Sequence, residues 1–260
     1  MLVAKIAVAA IIVVAASRAA ERSGPLLGSM IATLPVSAGP AYVFLALDHG
    51  AAFISESARM SVAATAATAA FVAAHALAAQ RFATTVSFAL ATLAWITVAI
   101  ALQLRDWSFA EVCLLFVVVF VAAIRLLRRY AVVLAAPAVP RARFDLALRG
   151  LLVATVVVAT NFASHAFGPA MTGVLATYPV VFTSLVLILQ PRCGGKFTAS
   201  VLVNGLKGLL GFGLALAVLH LAAARLSATA ALLLALAVSL GWNVALLARA
   251  RLRRSSTPPD

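Results

Sequence analysis

Charge is what this chain has least of. Only 10% of its 260 residues are Asp, Glu, Lys or Arg, where a soluble domain carries about a quarter. Acids are the scarcer sign, seven against 20 basic residues. Seven carboxylates, mostly in loops, leave little for acid–base catalysis, and no P-loop, HExxH or GxSxG run occurs. The chain therefore reads as no enzyme, and no cofactor is called for. Its two cysteines, Cys113 in an apolar run and Cys193 in an expected cytoplasmic loop, form neither a disulfide framework nor a metal-ligand spacing. No polar stretch exceeds a short loop or tail, which excludes a soluble domain. A net charge of +13 would suit nucleic acid. The cations lie between apolar runs, however, where they set membrane orientation and meet anionic headgroups, so nucleic acid is excluded as a partner.

What fills the chain is hydrophobic residues, 65% of the total, with a mean hydropathy of +1.12. Runs of about 20 apolar residues follow one another almost without pause, the pattern of an all-α polytopic membrane protein whose main partner is the lipid bilayer. Nine spans are expected, at 2–17, 25–47, 57–79, 82–103, 108–128, 144–163, 168–190, 198–222 and 226–248. The first is short and "AAS" at 15–17 resembles a signal-peptidase site. It is read as a span because its partner in the repeat described below is internal. The ending "RARLRRSSTPPD" reads as a disordered basic tail over 249–260. The composition, rich in Ala and Arg, suggests GC-rich bacterial DNA and a multi-pass protein of the inner (plasma) membrane.

Nine spans divide the cations between two faces. Arg18, Arg22, Arg81, Arg125, Arg128, Arg129, Arg141, Arg143, Arg149, Arg192, Lys196, Arg249, Arg251, Arg253 and Arg254 fall on one, and Lys5, Arg59, Arg105 and Arg225 on the other. That is 15 against 4, which predicts an outer N-terminus and a cytoplasmic C-terminus.

The chain also aligns with itself at a shift of 144 residues. Gly24-Pro25 falls on Gly168-Pro169, and "ATLPV" at 32–36 falls on "ATYPV" at 176–180. Across 24–36 there are six identities in 13 positions. Lys5 then meets Arg149, Gly50 meets Gly194 and Arg81 meets Arg225. Each repeat holds four spans, and five spans, an odd number, separate equivalent points, so the second copy enters the membrane inverted. The expected architecture is 4+1+4: a first repeat over 1–103, a linking helix and cytoplasmic loop over 104–142, and a second, inverted repeat over 143–248. Inverted repeats are a common construction in secondary transporters, and the plain alternative is a duplicated bundle that transports nothing.

Residues 2–103 resemble one copy of the small GlpM-type (DUF3147-like) inner-membrane proteins. The resemblance rests on Lys5 early in the first span, "LLGSMIATLPV" at 26–36 and "LDHGAAFISESARM" at 47–60. Residues 145–248, with "GVLATYPV" and "CGGKFTASVLVN", look like a second, more diverged copy. The resemblance implies a four-span unit and says little about substrate.

The residues that could carry chemistry begin with the two prolines. Pro35 and Pro179 stand near the middle of their spans, and each frees the carbonyl four residues earlier, Ile31 or Leu175. Such backbone is tolerated at membrane depth only inside protein or beside a wet cavity. Paired breaks are the best sequence pointer to a transporter site. Thr33, Ser37 and Thr177 would line it, and the rival reading is a packing kink satisfied by its own threonine. Lys207, sharing a helix face with Ser200, Asn204 and Gly211, is expected to face the bundle interior, where it would bind an anionic group or pair with Glu56. Glycines 205, 208, 211 and 213 read mainly as packing. Glu56, His75 and His220 are candidate coupling groups, with interfacial solvation as the plain alternative for the histidines. The expectation is a transporter or permease of a small or lipid-linked, anionic solute, working by alternating access. The alternatives are a membrane scaffold or accessory subunit of envelope-polysaccharide assembly, or a lipid flippase. Oligomeric state is not legible.

Overall fold

The computed structural model describes residues 38–132 and 143–255, together with the single positions 8, 11 and 15. Every regular element among the described residues is helical. In chain order these are α1 (Ala38–Asp48), α2 (Ala51–Ala78), α3 (Thr84–Gln103), α4 (Phe109–Leu126), a short 3-10 turn (Arg128–Tyr130), α5 (Arg143–Ala166), α6 (Gly168–Ala176), α7 (Val180–Ala223) and α8 (Ala228–Ser255). Six stretches are long and apolar enough to cross a membrane, so the chain is a multi-pass helical membrane protein. One of the six, 168–223, covers both the 168–190 and 198–222 spans expected from sequence. The expected span 2–17, save for the single helical positions 8, 11 and 15, and most of 25–47 lie outside the described residues, α1 being the end of the latter.

Local chemistry explains the edges. Ser108 and Glu111 form a capping box that starts α4, the Ser108 amide donating to the Glu111 carboxylate at 2.8 Å. Gly168, at φ +78°, turns the chain from α5 into α6, with Pro169 in the first helical turn. Gly194, at φ +80° and ψ 165°, breaks α7 into arms at 180–193 and 195–223, a backbone shape that only glycine adopts without strain. α8 continues to Ser255 instead of giving way to a disordered tail at 249. Arg, Leu and Ala are strong helix formers, so a helix leaving the bilayer through "RARLRRS" has no reason to stop there.

α2 is the central post. Some 78% of its most apolar stretch is buried, against 17% to 28% in α3, α4, α5 and α8. It packs most extensively on α7, then on α3, α6 and α4. The α2–α7 pair is antiparallel: Ser55 near the start of α2 bonds His220 near the end of α7, while Ala79 just past α2 touches Gly195 at the start of the second arm. A methyl at Gly195 would collide with the Ala79 carbonyl oxygen, which measures how closely the backbones approach. α5 ties both faces. Its Asp145 accepts two bonds from Arg192 at 2.7 and 2.8 Å, and its Asn161 donates to Asp48 at 3.2 Å. Asp48, Ser55, Asn161 and His220 thus lie at a first face, and Ala79, Asp145, Arg192 and Gly195 at a second.

Candidate functional site

The best candidate is the interruption between α6 and α7. α6 ends at Ala176, and Pro179 stands at the N-cap of α7. Proline cannot donate to the turn behind it and its ring crowds the Leu175 carbonyl, so the helix opens. The freed groups find partners close by. Leu175 O accepts from the Tyr178 amide at 3.1 Å, and Val174 O from the Thr177 hydroxyl at 2.8 Å. Thr177 therefore satisfies its own helix, as the kink reading expected.

α2 supplies the remaining contacts. Ser61 donates to Gly173 O at 2.7 Å, and Thr68 to Thr177 O at 3.3 Å. Because the Ser61 proton goes to Gly173, the Tyr42 hydroxyl donates to Ser61 at 2.6 Å. A methyl at Gly173 would strike the Ser57 carbonyl, so α6 lies directly on α2. Across the break, Thr183 donates to the Tyr178 hydroxyl, and the Trp95 ring meets the Tyr178 ring edge-on at 5.0 Å. Trp95 is buried, and its indole N–H has no acceptor among the described residues. The junction thus gathers hydroxyls, aromatic rings, the unpartnered Trp95 indole and Ser57 hydroxyl, and the start of the first arm of α7, whose first amides form the positive end of a helix dipole.

Polar pairs also close both ends of the α2–α7 interface. At the first face the His220 Nδ1–H donates to Ser55 O at 2.8 Å, and Ser55 Oγ donates to His220 O at 2.9 Å. At the second face Gln190 Nε2 donates to Phe82 O at 3.3 Å, which turns its Oε1 toward Ser87 Oγ and His75 Nε2, each at 2.9 Å. His75 is fully buried, unlike the solvated group of the plain reading, and His220 is half-buried near the end of α7.

Lys207 is a correction. It is exposed on the outside of α7, with Leu214 and Leu221 on the same side, and does not face the bundle interior. Glu56 is not its partner, being paired with Arg59 one turn away. Asn204 and Ser200 bond the backbone oxygens of Ala131 and Val132 after the 3-10 turn, so they hold a loop and line no site with Lys207. The rule that puts a mid-span lysine inside assumes that the bundle surrounds its helix, and among the described residues nothing covers the Lys207 side of this arm, although α2, α4 and α8 pack on its other sides. The glycine stripe is packing, as expected: side chains at Gly205, Gly211 and Gly213 would meet Phe182, Trp242 and Phe116. Cys193 stands in helix beside Gly194 and not in a loop. Thr33, Pro35 and Ser37 lie outside the described residues.

Tyr42, Ser55, Ser61, Thr68, Trp95 and Gln190 escaped sequence reasoning. One signal could have found several of them. Ser55, Ser61, Thr68 and His75 recur at steps of six or seven residues, a polar stripe down one face of an otherwise apolar helix.

These features define a class, a helical membrane protein whose central post carries a polar seam against a broken helix. No family model, curated protein or solved structure matches the chain.

Proposed function

We propose that the chain is a secondary transporter of a small anionic solute, working by alternating access between two inverted four-helix repeats in a bacterial inner membrane. The observation that carries the reading is the broken helix at 177–179, bedded on the hydroxyls of α2. Discontinuous helices meeting near mid-membrane are how transporters of inverted-repeat construction bind solute.

The inversion has its own support. α2 follows Gly50 and the second arm of α7 follows Gly194, positions 144 apart, and the two run antiparallel. α3 begins at Thr84 and α8 at Ala228, again 144 apart. α1 ends at the Asn161 end of α5, whereas its equivalent, the first arm of α7, ends at the Asp145 end. The preference for an anion rests on the positive end of that arm and on the Trp95 donor, not on Lys207.

The test is uptake by proteoliposomes across a panel of carboxylate, phosphate and sulfate solutes. At least one anion is expected to move, with flux falling about tenfold or more in Thr177→Val and Pro179→Ala, which alter the interrupted backbone and its hydroxyl. Lys207→Ala is expected to keep wild-type flux. Full flux in both break variants would remove the site, and no flux of any anion would remove the anionic reading.

A second reading has one observation in its favour. Lys207 stands exposed at mid-height of a bilayer-facing arm, where it could escort a lipid phosphate along the outside of the protein. A flippase of this kind would lose lipid scrambling in Lys207→Ala and keep it in Pro179→Ala, the reverse of the transporter pattern.

A further inference from the structure

We infer that the two polar pairs between α2 and α7, Ser55–His220 at the first face and His75–Gln190 at the second, are the two gates of the transporter and open one at a time. The inference rests on the transport reading above and adds where the chain opens.

Ser55 and His75 are 20 residues apart on α2, about 30 Å of helix and so close to the thickness of the hydrocarbon layer. The pairs therefore stand where each bilayer face meets water, with the broken helix at 177–179 between them. Both sit on the same stripe of α2 as Ser61 and Thr68, which hold the α6–α7 junction. The stripe thus reads gate, centre, gate.

The chemistry of the ends differs from that of a fixed seam. α2 has an interior of Ala63, Ala64, Ala67, Phe71 and Val72, all buried, and such apolar contacts have no replacement when they part. At the gates hydrogen bonds join the helices beside buried apolar groups such as Ile54, Leu219 and Ala76, and those hydrogen bonds exchange for bonds to water at small net cost once a face is wetted. Each gate also spans elements that the repeat makes structurally independent. His220 belongs to the second arm of α7, beyond Gly194, and Gln190 to the first arm, before it. A rotation about Gly194 can therefore release one pair without moving the other. The two histidines are near-equivalents under the 144-residue shift, since His75 maps to residue 219, beside His220, whereas their partners Gln190 and Ser55 map to Ala46 and Ala199. In this structure both pairs are formed, the state in which the centre is closed to both faces.

The test uses sided thiol labelling and needs no solute. In a Cys113→Ala/Cys193→Ala background, Thr177→Cys is the reporter, with fully buried Thr183→Cys as a second reporter. Sealed proteoliposomes of known orientation are treated with a membrane-impermeant maleimide on one side or the other. Ser55→Ala/His220→Leu is expected to raise labelling from the first face about tenfold, the effect of losing two hydrogen bonds at their usual net worth, with no rise from the second. His75→Leu/Gln190→Leu is expected to do the reverse. Unchanged labelling in both, or labelling that rises from both faces together, would overturn the inference. So would loss of the folded, monodisperse protein in both double variants, which would make the pairs fixed pins. If labelling alternates and no anion moves in the flux panel, the anionic reading fails and the gates stand.

Discussion

α2 and the second arm of α7 occupy equivalent places in the 144-residue repeat and have opposite surroundings. Each follows a glycine, Gly50 or Gly194, and each packs along the other. Yet Ala63 at the middle of α2 is wholly buried, while its equivalent in α7 is the exposed Lys207. Among the described residues, α3, α4 and α6 all pack on α2 in addition to α7, and its middle is buried on every side. The difference teaches that a repeat specifies helix length and direction and not burial. Among the described residues burial follows the elements that arrive from elsewhere in the chain: the linking helix α4 and the α6 segment settle on α2, while the counterpart of α6 under the shift, 24–32, lies outside the described residues. A charge that one copy carries on its outer face would thus be buried without a partner in the other.

The largest expected effect transplants that charge. Ala63→Lys would bury an ammonium with no partner, and thermal unfolding in detergent should show a loss of about 3 kcal/mol or more, or no folded protein. A stable Ala63→Lys chain would mean that α2 is not the central post. Next comes the contact between the two helices. Gly195→Ala should cost about 1–3 kcal/mol, because the new methyl meets the Ala79 carbonyl and one helix must shift. Its equivalent in α2 is Ala51, which already carries a methyl. The glycines before the two helices should separate more gently. Gly194→Ala is expected to cost about 1–2 kcal/mol for its positive φ. Gly50→Ala, at φ −75° with open space around it, should change the melting temperature little. Last comes Lys207→Ala, which should go the other way and raise the melting temperature, because an ammonium facing hydrocarbon at mid-span is itself costly. A large loss there would show that the lysine has a partner on that face.

Much of the helical layout was legible because hydrophobic runs are a local property. The expected span 82–103 became α3 at Thr84–Gln103, and 108–128 became α4 with its Ser108 cap. The break before Pro179 was legible too, since proline acts on the carbonyl four residues back whatever surrounds it. Lys207 was misplaced because the covering of a helix face is decided by distant elements. The two polar pairs of the α2–α7 seam were invisible for the same reason. Ser55 and His220 are 165 residues apart, and His75 and Gln190 are 115 apart. Nothing in either neighbourhood announces the other. The histidines were suspected only as titrating groups, whereas the structure gives each a specific hydrogen-bond partner across the α2–α7 seam.

The inversion of the two halves is the claim on which transport, site and gates all depend, and two residues test it. Arg81 and Arg225 are equivalent under the 144-residue shift, and both are exposed in the turns that follow α2 and α7. In a chain without Cys113 and Cys193, Arg81→Cys and Arg225→Cys are labelled with a membrane-impermeant thiol reagent in vesicles of known orientation. The account predicts labelling from opposite sides of the membrane, Arg81→Cys from the cytoplasmic face that the cation count assigns it and Arg225→Cys from the outer one. Labelling of both from the same side would contradict it.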